Sequence, residues 1–211
     1  LTVIRPNGDV LVFFSDLPAE GSVRIGYVKS TDKGASFGQA TKAVDMNVTL
    51  TGTLTPDDLA PVRHANILYD VAVYERNGNL YLVWQDARFN GVDQVAFSMS
   101  GNGGETWSEP VRIARTPRDA NVLRTQSFVP SIEVGRNGKL VVTYYDFRRD
   151  SSDGKEATDY WSISCNIRAG AVCTRRAGWG REMRLTWRSF NMLNAPVARG
   201  AGVALRRLAG G

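Results

Sequence analysis

Three short apolar runs set the rhythm of the chain: Val10-Leu11-Val12-Phe13-Phe14, Leu80-Tyr81-Leu82-Val83-Trp84 and Leu140-Val141-Val142-Thr143-Tyr144. Each is rich in β-branched and aromatic residues, and each follows an Asn-Gly pair, at Asn7-Gly8, Asn77-Gly78 and Asn137-Gly138. Asn-Gly between apolar runs predicts a tight hairpin whose two central residues take φ > 0. An aspartate stands nine residues beyond each Asn, at Asp16, Asp86 and Asp146. Alternating stretches at Val23 to Val28, Val95 to Met99 and from Asp159 onward predict the strand that comes next. The pattern is one of repeated antiparallel strands, and the repeat decides the fold class.

A second signal recurs 23 residues past the first two Asn. Ser30-Thr31-Asp32-Lys33-Gly34-Ala35-Ser36-Phe37 and Ser100-Gly101-Asn102-Gly103-Gly104-Glu105-Thr106-Trp107 share the form Ser-x-Asp/Asn-x-Gly-x-x-aromatic. Asp32 or Asn102 can bond turn amides, Gly34 or Gly104 supplies the φ > 0 position, and Phe37 or Trp107 can pack back under the hairpin. This resembles the Asp-box of the sialidase-like, BNR-repeat β-propellers. The resemblance implies an all-β propeller of four-stranded antiparallel blades, with the Asp-boxes as scaffold. Blade 1 is expected at about 1–45, blade 2 at about 67–115 and blade 3 at about 128–187, with a remainder over 188–211. At this repeat length 211 residues hold an incomplete ring of three blades and part of a fourth. The absent initiator Met fits a mature or truncated product.

The third repeat departs from the pattern. Its third strand runs into Cys165 and Cys173 instead of an Asp-box, after an acidic insertion at Ser151 to Glu156. A disulfide could close that loop, and the family's frequent secretion favours it; two free buried thiols are the alternative. The tail adds to the resemblance, with Tyr144-Tyr145-Asp146-Phe147-Arg148, Thr158-Asp159-Tyr160-Trp161, Glu182-Met183-Arg184-Leu185-Thr186, Ser189-Phe190-Asn191 and Ala198-Arg199-Gly200. Past Gly200 the likeness stops, which points to an altered or truncated C-terminus. The resemblance also implies an extracytoplasmic setting.

Blade topology separates two faces. The Asn-Gly turns and Asp-boxes lie on one. The loops after Asp16, Asp86 and Asp146 lie on the other, with the crossovers at about 45–66 and 115–129. Loops held on a rigid scaffold carry function, so the second face is the candidate site. The repeated Asp-x-Arg pairs, Asp86/Arg88 and Asp146/Arg148, either pin their turns or offer guanidinium groups to an acidic sugar; repetition favours pinning. Relatives of this kind clamp a substrate carboxylate with three Arg, use an Asp as acid/base and attack through a Tyr paired with Glu. Arg matches a carboxylate with two parallel hydrogen bonds. The candidates on this chain are Tyr145, Asp86 and Asp146 for catalysis, and Arg63, Arg88, Arg124, Arg148 and Arg149 for substrate binding. The same loops carry Asp57, Asp58, His64, Arg118, Asp119 and Asp150. Asp57-Asp58 suits a general acid or the start of a turn. The Phe/Tyr-Arg-Ile-Pro motif that opens most sialidases is absent.

Composition narrows the choice. The chain has 43% hydrophobic residues and no apolar run long enough for a membrane helix. Residues 1–111 carry 8 Lys/Arg against 13 Asp/Glu, while 112–211 carry 18 against 8. Of the 26 basic residues 21 are Arg, scattered and without a basic stripe. A nucleic-acid partner therefore ranks below a glycan or sialoglycoconjugate. One histidine and no EF-hand spacing leave no metal site, and no cofactor is implied. The expected function is an exo-α-sialidase-type glycoside hydrolase or a fragment of one. The alternative is a non-catalytic propeller that binds glycan or protein through its loop face.

Overall fold

The computed structural model describes residues 1–18, 22–49, 51–63, 68–169 and 172–195, without the side chains of Arg63 and Ala169. Three four-stranded antiparallel sheets follow one another along the chain, consistent with blades of a β-propeller-like fold. The first comprises β1 (Thr2–Ile4), β2 (Val10–Asp16), β3 (Arg24–Ser30) and β4 (Thr41–Asp45). After a two-stranded hairpin of β5 (Thr53–Leu54) and β6 (Pro61–Arg63), the second contains β7 (Tyr69–Val73), β8 (Leu80–Asp86), β9 (Gln94–Ser100) and β10 (Val111–Arg112). The third holds β11 (Ser127–Val134), β12 (Lys139–Asp146), β13 (Ala157–Asn166) and β14 (Met183–Arg184), with β15 (Phe190–Asn191) pairing on β13. No closed barrel forms among the described residues. None of their helices is long and apolar enough to cross a membrane.

The sheets stack face to face. Leu11, Phe13, Ile25 and Tyr27 of the first pack against Leu80, Leu82 and Trp84 of the second. Tyr81, Val83, Val95 and Phe97, on the other side of the second, meet Leu140, Val142 and Tyr144 of the third. The middle strand β8 is therefore covered on both faces and all seven of its residues are buried. Strands β2 and β12 alternate between buried and partly exposed positions, because one face of each outer sheet is open. Asp70 stitches the inner strands together, its Oδ2 accepting from the Ser131 hydroxyl (2.7 Å) and the Ile132 amide (2.9 Å).

The Asn-Gly turns differ from the expected two-residue form. Only the glycines are left-handed, at φ 90° for Gly8, 71° for Gly78 and 75° for Gly138. The chain closes by Arg5 N–H to Asp9 C=O, Tyr74 N–H to Asn79 C=O and Gly135 N–H to Lys139 C=O. These are three- and four-residue loops ending in a left-handed glycine, a geometry that leaves the Asn with ordinary φ. Each Asn instead accepts the amide two residues on, at 3.0–3.1 Å. Pro6, with φ fixed near −65°, suits the first position of such a loop.

The two Asp-boxes are built alike. Ser30 Oγ donates to Asp32 Oδ1 (2.7 Å) and accepts from Gly34 N–H (2.8 Å), while Asp32 Oδ1 accepts from Ser36 N–H (2.9 Å). Ser100, Asn102, Gly104 and Thr106 repeat these bonds at 2.9–3.0 Å. Their aromatics differ: Trp107 sits edge-on to Phe13 of the preceding sheet, ring centroids 6.2 Å apart, whereas Phe37 is exposed. The glycines differ for the same reason. A Cβ on Gly34 would meet nothing within 4 Å, but one on Gly104 would stand 3.0 Å from the Tyr27 ring and hydroxyl. Both have φ near +95°, so both alanine variants incur left-handed strain of about 1–2 kcal/mol. Gly104→Ala is expected to cost at least about 1 kcal/mol more than Gly34→Ala in urea unfolding. Equal costs would mean that the second box does not press on the first sheet.

In the third sheet Cys165 and Cys173 are bonded, with Cα atoms 5.9 Å apart. Just after the loop they close, the chain turns through Arg176–Gly178 and brings Trp179 against the second sheet, where its ring lies edge-on to Phe97 at 5.0 Å. Gly180 N–H to Ser164 C=O (2.8 Å) then leads the chain into β14.

Candidate functional site

The loop face is built from the ends of β2, β8 and β12 and from the two crossovers. Asp86, fully buried at the end of β8, accepts from Trp84 Nε1 (2.7 Å), Asn47 N–H (3.2 Å) and Arg88 N–H (2.9 Å). Arg88 grips the same carboxylate through Nε (2.7 Å) and Nη2 (2.8 Å), and Nη2 also reaches Asp45 C=O. Asp86 thus fastens its own turn to the crossover arriving from the first sheet. Asp146 does the same one sheet later, bonding Arg148 and the Thr116 hydroxyl (2.7 Å) of the second crossover. Burial raises the Asp146 pKa, with the Arg148 charge and the Thr116 hydrogen bond opposing it. Asp16 lacks this arrangement and pairs across the strands with Arg24 at 2.6 Å.

Arg148 also meets Glu182 Oε2 at 2.5 Å and lies over the Trp161 ring, 3.9 Å from its centroid. Glu182 Oε1 accepts the Arg115 amide at 2.6 Å. Burial pushes the Glu182 carboxyl up to about 7, with the Arg115 amide and the Arg115 and Arg112 charges pulling the other way. A carboxyl whose folded pKa exceeds its usual 4.5 holds a proton in the folded state that the unfolded state has already lost. Folding stability should therefore fall as pH rises from about 4.5 to about 7, by roughly 1–3 kcal/mol. Glu182→Gln should flatten that slope in urea titrations at successive pH values. An unchanged slope would assign it to another group.

A second knot joins three distant loops. Arg124, in the 3-10 turn Val122–Thr125, donates to Asp150 Oδ2 (3.0 Å), Asp57 Oδ1 (3.4 Å) and Ser152 Oγ (2.7 Å). Asp57 lies at the tip of the β5–β6 hairpin and accepts Gly154 N–H at 2.8 Å. Buried Glu156 caps that tip, accepting the amides of Asp57 and Asp58 at 2.7–3.3 Å. Below it Thr53 donates to Asp93 (2.6 Å), and Gln85 donates to both while accepting Val129 N–H (2.9 Å). Val129 is held at φ 51°, an unusual conformation for a β-branched residue, in the bulge of β11. Asp57, Asp150 and Asp153 each offer a carboxylate oxygen, and these lie within 4.8 Å of one another; the Arg124 guanidinium pairs with the first two and Lys155 Nζ with Asp153 at 2.7 Å.

The sequence-selected residues thus separate into two groups. Arg88, Arg148 and Arg124 spend their donors on internal carboxylates. Arg149 is 56% exposed, with its Nε 4.0 Å from Asp159 Oδ2, and Arg118 and Asp58 are exposed too. Asp119 caps Asn121 N–H at 2.8 Å. Tyr145 points along the open face of the third sheet, stacked on Tyr160 at 4.4 Å and flanked by Phe128 and Phe190. The Arg63 side chain and His64 lie outside the described residues, as does the tail from residue 196. Residues not selected from sequence prove central: Glu156, Glu182 and Asp159, whose Oδ1 gathers Arg184 Nη2 (2.6 Å) and the Thr186 hydroxyl (2.7 Å). Only their place in motifs near Trp161 and Arg184 marked the last two.

No protein-family model matches the chain, and no curated protein does. Among solved structures, a Hadza microbial sialidase superposes with a TM-score of 0.50 at 18% identity, covering 86% of this chain and 37% of that one. A protein of unknown function from Dyadobacter fermentans gives 0.49 at 14% identity, over 88% of this chain and 40% of its own. An ulvan lyase gives 0.48 at 13%, over 80% and 38%. The chain spans less than half the length of each. The likeness to the first, at that identity, is one of fold, and the fold of this chain is sialidase-like.

Proposed function

We propose that this chain belongs to a glycan-binding protein of sialidase-like fold, and that its loop face takes acidic sugars without hydrolysing them. The observation that carries the reading is the Arg124 knot, which holds loops from three parts of the chain as one rigid surface with Arg118, Arg149 and Asp58 open on it. Preorganised loops bind with little loss of conformational freedom. An exposed guanidinium suits a sugar carboxylate. The fold shared with a sialidase supports a carbohydrate partner.

Binding is favoured over exo-α-sialidase turnover by the state of the reacting groups. A tyrosine nucleophile needs a base beside it. Tyr145 is surrounded by aromatic rings, and burial raises its pKa above the usual 10. Asp86 and Asp146 are buried and bonded inward. The Cys165–Cys173 bond supports an extracytoplasmic setting. A glycan array and a fluorogenic sialoside assay between pH 4 and 8 test the proposal together. Signals confined to acidic glycans, with no fluorescence released, are expected. Released fluorescence would restore the hydrolase reading, and an array without acidic signals would remove the glycan.

A further inference from the structure

Most asparagine side chains of this chain are engaged in turns. Asn7, Asn77, Asn121 and Asn137 each accept the backbone amide two residues on, and Asn102 closes the second Asp-box. Asn47 is different. It stands in the crossover between β4 and β5, with its backbone held on both sides. Its N–H donates to Asp86 Oδ2 (3.2 Å), and its C=O accepts from Ala87 N–H (2.7 Å). Its side chain is exposed and makes no hydrogen bond among the described residues. The alternation of extended chain explains the direction. Met46 before it is only 3% exposed, and Val48 after it packs on the core shared by the first two sheets, so Asn47 points outward.

Asn47-Val48-Thr49 has the form Asn-x-Ser/Thr, with x not proline, that accepts an N-linked glycan in exported proteins. Of the twelve asparagines only Asn47 has it. The hydroxyl two residues on is what the transferase reads to position the acceptor amide. Asp45, two residues earlier and with 52% of its side chain exposed, adds the carboxylate that some oligosaccharyltransferases also require. Thr49 opens a turn, its Oγ1 donating to Gly52 C=O at 3.2 Å. The Cys165–Cys173 bond is an independent mark of the oxidising compartments through which such proteins pass.

We propose that Asn47 is a glycosylation site, its side-chain amide carrying an N-linked oligosaccharide at the corner where the first crossover meets the Asp86 turn. The step joins Asn47 Nδ2 to the anomeric carbon of a lipid-diphosphate-linked oligosaccharide. The bond from that carbon to the diphosphate oxygen breaks, and the lipid diphosphate leaves with the proton lost from the amide nitrogen. Transfer precedes folding, because the folded backbone of Asn47 is tied to Asp86 and Ala87 and cannot bend into an enzyme's cleft. The folded chain then keeps the glycan outside without losing a contact, since the Asn47 amide holds nothing in place. The inference rests on the extracytoplasmic setting and not on the acidic-sugar reading of the loop face.

Mass spectrometry of the tryptic peptide 43–63, in which Asn47 is the only asparagine, tests this on protein purified from the cells that produce it. An oligosaccharide increment on Asn47 is expected, retained in Thr49→Ser and lost in Thr49→Val and in Asn47→Gln made in the same cells. Far-UV spectra of the variants should match the wild type. An unmodified Asn47 in protein whose Cys165–Cys173 bond is intact would overturn the inference and leave the extracytoplasmic setting standing. An unmodified Asn47 together with free thiols would overturn both. A glycan that survives Thr49→Val would also contradict it, because its attachment would not depend on the motif. If Thr49→Val fails to fold, Asn47→Gln carries the comparison. Its intact mass should fall by the whole glycan, and an unchanged mass apart from the substitution would overturn the assignment to Asn47.

Discussion

Replacing Asp86 with alanine is expected to cost about 3–5 kcal/mol of folding stability, the range for breaking a buried ion pair from one side. The reason lies in what the carboxylate holds. Five donors converge on it: the Trp84 indole, the backbone of Asn47 and Arg88, and two nitrogens of the Arg88 guanidinium. Without it the indole and the amides lose their acceptor, and a charge is left against the end of a strand buried on both faces. Asp86→Asn should be nearly as damaging, because the amide cannot neutralise Arg88. Asp86→Asn combined with Arg88→Met should recover part of the loss, which isolates the charge term. Urea unfolding of the three variants checks this. A loss below about 1 kcal/mol for Asp86→Ala would mean the pair is solvated and does not fasten the crossover.

The second large effect is expected at Trp179. Trp179→Ala should cost about 3–5 kcal/mol, as for other buried aromatics. Its ring fills the space between the second and third sheets against Phe97, and its Nε1 donates to Cys173 C=O at 2.8 Å. Arg115 Nη2 donates to its carbonyl, so the side chain also places the segment that leads to Glu182. Reducing the Cys165–Cys173 bond should cost about 2–3 kcal/mol on the loop-entropy estimate. The combined loss should be less than the sum of the two, because the Trp179 indole is bonded to the carbonyl of Cys173 itself. At about 2–4 °C per kcal/mol for a chain of this size, Trp179→Ala should lower Tm by roughly 10 °C. A shift of only a degree or two would show that the loop is not part of the core.

How much of this was legible from sequence follows from the range of the interactions. The strands at Val10, Leu80 and Leu140 and the Asp-boxes at Ser30 and Ser100 are local patterns, visible because period, turn and glycine fall within a few residues of one another. The β5–β6 hairpin was not visible. Its strands are two and three residues long, include Pro61, and form because Gln126 and Glu156 meet them from afar. The left-handed Asn expected at each turn was a local error, since loop length decides which residue turns. Arg88, Arg124 and Arg148 looked alike in sequence to Arg149; what separates them is where Asp86, Asp146 and Asp150 stand in space. Tyr145 was placed near the loop face by its position, whereas strand alternation turns its ring onto the open sheet face.

The loop face as an acidic-sugar surface is tested most directly by calorimetric titration of 3'-sialyllactose and of lactose into the wild-type protein and into Arg149→Ala. Binding of the sialylated sugar alone is expected, weakened about tenfold or more by Arg149→Ala, which corresponds to about 1.4 kcal/mol for one charge-assisted contact. Equal affinity for the two sugars, or an affinity that Arg149→Ala leaves untouched, would contradict it.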